Sequence, residues 1–348
     1  MRVVVNAKNG TRDFECEPGE KILHAGLRGG VELPYECATG TCGTCKARLV
    51  SGRTESEWPD APGGRYLKTQ AEFLTCQSVA HDDCALEVGT LKTSEPNTSA
   101  PRARTGVVRG LRRLTHDVAA FDVGIDAPLD FAAGQFALLS VPGIAGARAY
   151  SMVNFERGAQ GLSFVAKKKP GGAVSGWLFG DDIDGVEGAR LGLFAPLGRA
   201  TFHPGVNRHV LCVAGGSGIA GMMSILSLAC REGHFAAWDG HVFFGVRTAQ
   251  DAFFFDELDA FRAKFPARLS VTVALSDEDV PASLADAYPN FAFARGFVHA
   301  VAGERMKGRY ADVRAWVAGP PPMVDASLRL LLREARLSPA DIRYDKFS

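Results

Sequence analysis

The chain has 348 residues, is 46% hydrophobic and 22% charged, and its 39 basic and 39 acidic side chains give a formal net charge of zero. That length points to two or three domains, and the balanced charge argues against nucleic acid as a partner, because neutralising phosphates needs a basic excess or stripe. No apolar run reaches the ~18–20 residues that cross a bilayer, so the chain reads as soluble and cytoplasmic, with no membrane partner.

In chain order, the start Met1–Asn6 alternates toward a strand rather than a targeting segment. The next feature is the most specific in the sequence. Cys37, Cys42 and Cys45 are spaced C-x4-C-x2-C, and Cys76 comes after a gap. This is the ligand spacing of a plant-type [2Fe–2S] cluster, in which four thiolates hold two irons. One loop can wrap so compact a group only if its backbone is tight, and Gly40 and Gly43 allow that while letting amide N–H groups approach the sulfurs. Two other readings are weaker. Zinc favours paired C-x2-C knuckles or added histidines, and a disulfide framework belongs to short secreted chains. Cys16, Cys84, Cys212 and Cys230 have no ligand spacing, and Cys212 sits in an apolar run, Val210–Ala214, as a core residue. Iron-ligating thiolates also fit a reducing compartment.

Residues 90–104 are polar, carry two prolines and have almost nothing to bury. They read as a linker. We therefore divide the chain into a cluster domain at 1–92, a linker at 93–104, a barrel at 105–206 and a nucleotide domain at 207–348. The barrel is expected from short alternating runs at Val107–Val108, Ala119–Ile125, Phe136–Val141 and Leu162–Ala166, separated by glycine turns. The last domain alternates strand runs at Val210–Ala214 and His241–Val246 with helical patterns at Ile219–Ala229 and Phe254–Phe265. That alternation predicts βαβ units on a parallel sheet. The fold class is thus multidomain α+β and α/β: a β-grasp, an antiparallel β-barrel and a parallel-sheet α/β domain.

Val210–Ala214 runs straight into Gly215-Gly216-Ser217-Gly218-Ile219-Ala220-Gly221. A buried strand, a glycine turn and a helix start form the setting in which backbone N–H groups meet a pyrophosphate. The accompanying acid, expected about 20 residues on at the end of the second strand, is missing; Val246 and Arg247 stand there instead. Later, Trp316–Met323 ends a strand in Gly319, Pro320, Pro321 and Pro322, a rigid turn ahead of a helix expected from about Val324. Such turns lie at the carboxyl edge where open α/β sheets bind ligands. The acidic runs Asp256-Glu257 and Asp277-Glu278-Asp279 read as solvated faces, and the eight histidines form no pair at metal-ligand spacing.

Together these motifs resemble the ferredoxin–NADP reductase superfamily, and more closely the reductase components of bacterial multicomponent oxygenases, over essentially the whole chain. The segment Trp58–Gly63 and the ending Ile342–Ser348 look like the toluene and soluble di-iron monooxygenase group. The resemblance implies an FAD site. Arg148, Tyr150 and Ser151 match its Arg-x-Tyr-Ser stretch; Lys167, Gly172, Val174 and Ser175 match its second flavin segment; Gly134–Phe136 matches the preceding strand; Phe347 matches an aromatic that covers the flavin. Tyr150 would lie along the isoalloxazine and Ser151 would reach its N5, which makes these two the catalytic candidates. Gly215, Gly216, Gly218, Gly319 and Pro320 match the nicotinamide motifs. Gly221 stands where a proline is common, implying a looser helix start, and Ala318 where a cysteine is usual. Arg247 stands alone, with Asp251 close in sequence, where the family separates NADH from NADPH, and this favours NADH.

The resemblance thus implies a monomeric, NADH-dependent flavin and iron–sulfur oxidoreductase. NADH gives up two electrons at once and the cluster takes one, so a flavin belongs between them. Electrons would leave through the small-residue loop from Ala38 to Thr44, for an oxygenase component or a small ferredoxin carrier. The preferred partner is a soluble di-iron aromatic or alkene monooxygenase, with a Rieske-type dioxygenase as the alternative. A stand-alone flavin reductase and a redox sensor are the rival readings.

Overall fold

The computed structural model describes residues 1–92, 99–180 and 185–346. Two compact units divide the chain. The first comprises Met1–Thr105, Ala137–Ala149 and Gly192–Leu197; the second comprises Gly106–Phe136, Tyr150–Leu191 and Gly198–Ser348.

In the first unit, strands β1 (Arg2–Ala7) and β2 (Gly10–Glu15) form a hairpin, and helix α1 (Ile22–Arg28) comes next. Strands β3 (Lys46–Ser51), β4 (Thr54–Ser56), β5 (Glu72–Leu74), β6 (Ser78–Ala80) and β7 (Cys84–Glu87) complete it. Five of these make one sheet in the order β2-β1-β7-β3-β5, and β4 pairs with β6. β1 runs parallel to β7 and antiparallel to β2. The strand alternation decides which face is inside: Val3 and Val5 are fully buried on the face that α1 covers with Ile22, Leu23 and Leu27. One sheet grasping one helix is the β-grasp expected from the sequence.

The barrel strands fall in both units. They are β8 (Arg102–Arg113), β9 (Val118–Leu129), β10 (Phe136–Ser140), β11 (Arg148–Ser151), β12 (Ala159–Lys167) and, after helix α2 (Ala173–Leu178), β13 (Arg190–Leu197). Within the second unit β8, β9 and β12 form an antiparallel ladder in that order. Phe121 lies opposite Phe164 across β9 and β12 with ring centroids 5.5 Å apart. Within the first, β11, β10 and β13 neighbour one another in that order.

The remainder of the second unit is a six-stranded parallel sheet. Its strands are β14 (His209–Gly215), β15 (Gly240–Val246), β16 (Leu269–Leu275), β17 (Ala292–Arg295), β18 (Val313–Gly319) and β19 (Ile342–Lys346). Helices α3 (Ile219–Arg231), α4 (Phe255–Lys264), α5 (Ala282–Ala287), α6 (Val298–Arg305) and α7 (Pro321–Arg329) connect them. After His209, β14 is apolar and buried because both its faces are covered. Val210, Cys212 and Ala214 enter the core under α3, whereas Leu211 and Val213 enter the core under α6 and α7. Burial pushes the Cys212 thiol up to about 12, as suits a core residue. The strand order β17-β16-β15-β14-β18-β19 reverses between β14 and β18. That reversal opens a crevice at the carboxyl ends of these two strands.

Two local expectations change. Helix α7 begins at Pro321, ahead of the expected Val324, with Pro320 as its N-cap. Prolines suit the first helical positions, where no N–H partner is needed and φ is already set. The acidic run 277–279 is also not merely solvated. Asp277 pairs with Arg247 at 2.9 Å and Asp279 with Arg295 at 2.8 Å.

Candidate functional site

The four predicted cysteines come together. Cys37 and Cys42 lie in the loop between α1 and β3, Cys45 immediately precedes β3, and Cys76 lies between β5 and β6. The Cys45 and Cys76 sulfurs are 3.1 Å apart, and all eight cysteines are free thiols. Backbone amides are aimed at the sulfurs: Thr39 N and Cys42 N each donate to Cys37 Sγ at 3.4 Å, and Thr44 N donates to Cys42 Sγ at 3.5 Å. Hydrogen bonds from Cys42, Thr41 and Thr39 draw Cys37 down to about 4. Cys76 is lowered by the Cys45 thiol and the Gln77 amide, while Cys42 and Cys45 are raised by the same thiol pairings. A donor set of four converging sulfurs ringed by N–H groups fits an anionic iron–sulfur cluster.

The loop's shape comes from residues with positive φ: Ala38 at 54°, Gly40 at 82° and Gly43 at 75°. It is closed from outside by residues the ligand spacing did not identify. A Cβ on Gly43 would lie 2.5 Å from the Tyr66 ring, and one on Gly40 would lie 2.9 Å from Gln77 Cγ. Gly63 N donates to Gly40 O at 2.8 Å, and a Cβ on Gly63 would strike that same oxygen. This gives the Trp58–Gly63 segment its physical role: it backs the cluster loop. Gln77 Nε2 also reaches Cys76 Sγ at 3.4 Å. Cys45 and Cys76 are buried, and Cys37 and Cys42 are half-buried, so one edge of the pocket faces outward.

At the crevice between β14 and β18, Ala214 is paired with Ala318, so the two nicotinamide motifs are neighbours. The approach is too close for side chains. A Cβ on Gly218 would be 2.3 Å from Ala318 O, and one on Gly319 (φ 151°) would be 2.5 Å from Met323 Cε and 3.0 Å from Gly215 O. Gly216 is different: at φ 53° it borders open space, leaving backbone to face a ligand. Pro320 leads directly into α7, and Ala318 is buried at 4% exposure. These residues fit a dinucleotide. Asp251 makes no ion pair with Arg247; its Oδ2 accepts from Thr248 N at 2.9 Å and Thr248 Oγ1 at 2.8 Å, capping its own turn, and its Oδ1 lies 3.9 Å from His116 Nε2.

Among the flavin candidates, Ser151 is buried, and a Cβ on Gly221 would lie 3.5 Å from Ser151 Cβ, so the residue expected to reach flavin N5 borders the nucleotide helix. The helix start is fastened rather than loose. Ser224 Oγ accepts from Gly134 N at 2.8 Å and donates to Gly221 O at 2.9 Å. Gly134 admits no Cβ, which would fall 2.2 Å from Ala200 O. The half-buried Tyr150 stands edge-on to Phe121 at 6.0 Å and to Phe164 at 6.5 Å. Arg148 donates to Ala147 O at 3.1 Å, and among the described residues no carboxylate pairs with it. An unneutralised guanidinium suits a pyrophosphate. Lys167 is engaged by Asp117 at 3.1 Å. Gly172 precedes α2, Val174 is buried within it, and Ser175 Oγ closes the turn by accepting from Lys169 N at 3.1 Å. Phe347 lies outside the described residues.

Known proteins match this arrangement. Residues 5–81 match the 2Fe–2S iron–sulfur cluster binding domain, and residues 212–328 match the oxidoreductase NAD-binding domain. A ferredoxin–NAD(P)+ reductase of Metapseudomonas resinovorans is 35% identical over 95% of this chain and 96% of its own length. The ferredoxin–NAD+ reductase component of an alkene monooxygenase system from Xanthobacter autotrophicus is 35% identical over 97% of this chain and 99% of its own. Among solved structures, a ferredoxin reductase in carbazole 1,9a-dioxygenase superposes with a TM-score of 0.83 at 32% identity, covering 100% of this chain and 99% of that one. Among the described residues no helix is long and apolar enough to cross a membrane.

Proposed function

The chain belongs to the family of iron–sulfur, NAD-binding reductase components of oxygenase systems, and from that premise we propose that it carries electrons from NADH through FAD and a [2Fe–2S] cluster to an oxygenase component. One observation carries this reading: a four-cysteine pocket and a glycine-lined crevice between β14 and β18 occur in a single chain. When bound, FAD supplies the chemistry that couples a two-electron donor to a one-electron acceptor.

The chain's own residues then have distinct tasks. Gly215, Gly216 and Gly218 admit the nucleotide's phosphates to backbone N–H groups, and Gly319 with Pro320 walls the other side. Arg148 offers charge to the flavin pyrophosphate, with Lys167, Gly172, Val174 and Ser175 on the second flavin segment. Tyr150 and Ser151 flank the ring system, with Ser151 offering a hydroxyl at the hydride-receiving end. Cys37, Cys42, Cys45 and Cys76 hold the irons, and the half-buried side at Cys37 and Cys42 is the exit for electrons. The protein acts as a cytoplasmic monomer. Its preferred partner is a soluble di-iron monooxygenase, in line with the alkene monooxygenase relative. The carbazole dioxygenase likeness favours a Rieske-type dioxygenase as the second reading.

The test is purification under argon, then visible spectroscopy, sulfide assay and NADH-driven reduction of cytochrome c. The expected result is flavin and acid-labile sulfide in the same protein, with rapid turnover. A protein without sulfide, or one that turns over slowly with every one-electron acceptor, overturns the reading. Reconstitution with purified di-iron or Rieske oxygenases then separates the two partners.

A further inference from the structure

The histidines form no pair at metal-ligand spacing in the sequence, yet the fold brings one of them against two carboxylates. His116 and Asp117 lie in the turn between β8 and β9, and Asp251 ends the short turn Ala249–Asp251 that follows β15. All three belong to the second unit. His116 Nε2 is 3.8 Å from Asp117 Oδ2 and 3.9 Å from Asp251 Oδ1. One ligand atom from each of the three lies within 4.8 Å of the other two. These separations are too long for hydrogen bonds. A tetrahedral ion about 2.1 Å from each ligand holds its ligands roughly 3.4 Å apart, so a small turn of the exposed His116 ring closes the set.

Both carboxylates are held with one oxygen left for a cation. Asp251 is only 9% exposed, and its Oδ2 takes both Thr248 donors. Among the described residues no hydrogen bond reaches its Oδ1, the atom that faces His116. A nearly buried anionic oxygen without a donor is costly unless a cation meets it. Asp117 is half-buried; Thr115 Oγ1 donates to its Oδ1 at 3.2 Å, which leaves Oδ2 to Lys167 Nζ at 3.1 Å. The Lys167 side chain is 40% exposed on a flexible stem, so an arriving ion can displace its ammonium into water. Arg247, just ahead of the capped turn, is taken by Asp277 at 2.9 Å. One imidazole with two carboxylates suits zinc rather than magnesium or calcium, which take oxygen ligands alone. We propose that His116, Asp117 and Asp251 bind a zinc ion that staples the barrel turn to the nucleotide domain. The ion gives Asp251 Oδ1 the partner that the protein does not supply, and its fourth position is left to water.

Calorimetric titration with zinc chloride tests the assignment, on protein carrying its iron–sulfur cluster so that Cys37, Cys42, Cys45 and Cys76 are occupied. One zinc should bind per chain. It should raise the thermal unfolding midpoint of the second unit by several degrees, since a ligand that binds only the folded state stabilises it. His116→Ala, a change at an exposed side chain, should weaken binding by about tenfold or more. Asp251→Asn should do the same, although its carbonyl oxygen can still accept from Thr248. Lys167→Gln should tighten binding several-fold by removing the competing ammonium. Zinc affinity unchanged in either His116→Ala or Asp251→Asn overturns the site, as does an unaltered protein that takes up no zinc at millimolar concentration. Neither result touches the electron-transfer function, which stands on the cluster pocket and the glycine-lined crevice.

Discussion

The cluster loop and the nucleotide crevice solve opposite problems with the same residue type. In the loop, glycine serves conformation: Gly40 and Gly43 have positive φ, so that the chain can curl round its sulfurs. In the crevice, glycine serves distance: Gly218 and Gly319 let two strand ends touch where any side chain would collide with backbone. The first site is held by side-chain ligands close in sequence, three of them within nine residues. The second is made of backbone, and sheet order brings its halves together from about a hundred residues apart. Damage should therefore stay local at the cluster but spread through the sheet edge at the crevice.

Cys76→Ser is the strongest test of that separation. Cys76 is fully buried against Cys45, and the hydroxyl is a poor substitute for a thiolate ligand. Acid-labile sulfide and NADH-driven cytochrome c reduction should be lost, while ferricyanide reduction persists. Retention of the cluster and of the cytochrome c rate would show that Cys76 is not a ligand. Gly218→Ala is the reciprocal change. Its Cβ would meet Ala318 O at 2.3 Å, and backbone cannot swing away. A displacement near 1 Å at a binding loop costs about a hundredfold in kcat/KM for NADH, with sulfide content untouched. A normal rate with NADH would mean that the glycine loop does not hold the nucleotide.

The first unit also carries an acid-sensitive element. His24 on α1 stacks on Phe194 with centroids 4.0 Å apart, and its buried Nε2 has no hydrogen-bond partner. Burial, aided by the Lys21 charge and opposed by Glu20, lowers it from 6.5 to about 4. The fold thus favours the neutral ring and the unfolded chain binds the proton first. The stability difference is fully present above pH 6.5 and is lost as pH falls toward 4, about 3 kcal/mol in all. His24→Phe keeps the stack and removes the titration. Between pH 7 and pH 5 it should lose about 2 kcal/mol less than the unaltered protein, read from urea unfolding of the first unit. Equal acid sensitivity in both proteins would remove His24 from the account.

The same contrast explains what was legible in the sequence. Cys37, Cys42 and Cys45 could be recognised because ligand spacing is local, and Val210–Gly221 because a strand, a glycine turn and a helix start succeed one another directly. Gly63, Tyr66 and Gln77 could not be recognised as the outer wall of the cluster loop, since twenty to thirty-seven residues separate them from the glycines they press on. The pairing of Asp277 with Arg247 was hidden for a different reason: parallel register sets the end of β16 beside the end of β15, and strand register is not written in any local motif. Gly221 was misjudged likewise, because Ser224, which secures the helix start, acts through Gly134 from the barrel segment.

Ser224→Ala gives the smallest effect and the sharpest reading of how the crevice is secured. The hydroxyl is fully buried, accepts from Gly134 N and donates to Gly221 O. Removing it orphans a buried amide, since Gly134 is also confined by Ala200 O and cannot turn toward water. Leaving a buried donor unsatisfied costs about 1–3 kcal/mol. The midpoint of thermal unfolding of the second unit should fall by several degrees. Ser224→Thr, which retains the hydroxyl, should recover part of that loss. Cluster absorption should be the same in all three proteins, because Gly134, Gly221 and Ser224 belong to the second unit alone. The nucleotide side should register the change as a raised KM for NADH, since Gly221 adjoins Ser151. If Ser224→Ala matches the unaltered protein in both unfolding and KM, the helix is anchored by apolar packing under α3 and the hydroxyl bridge is incidental.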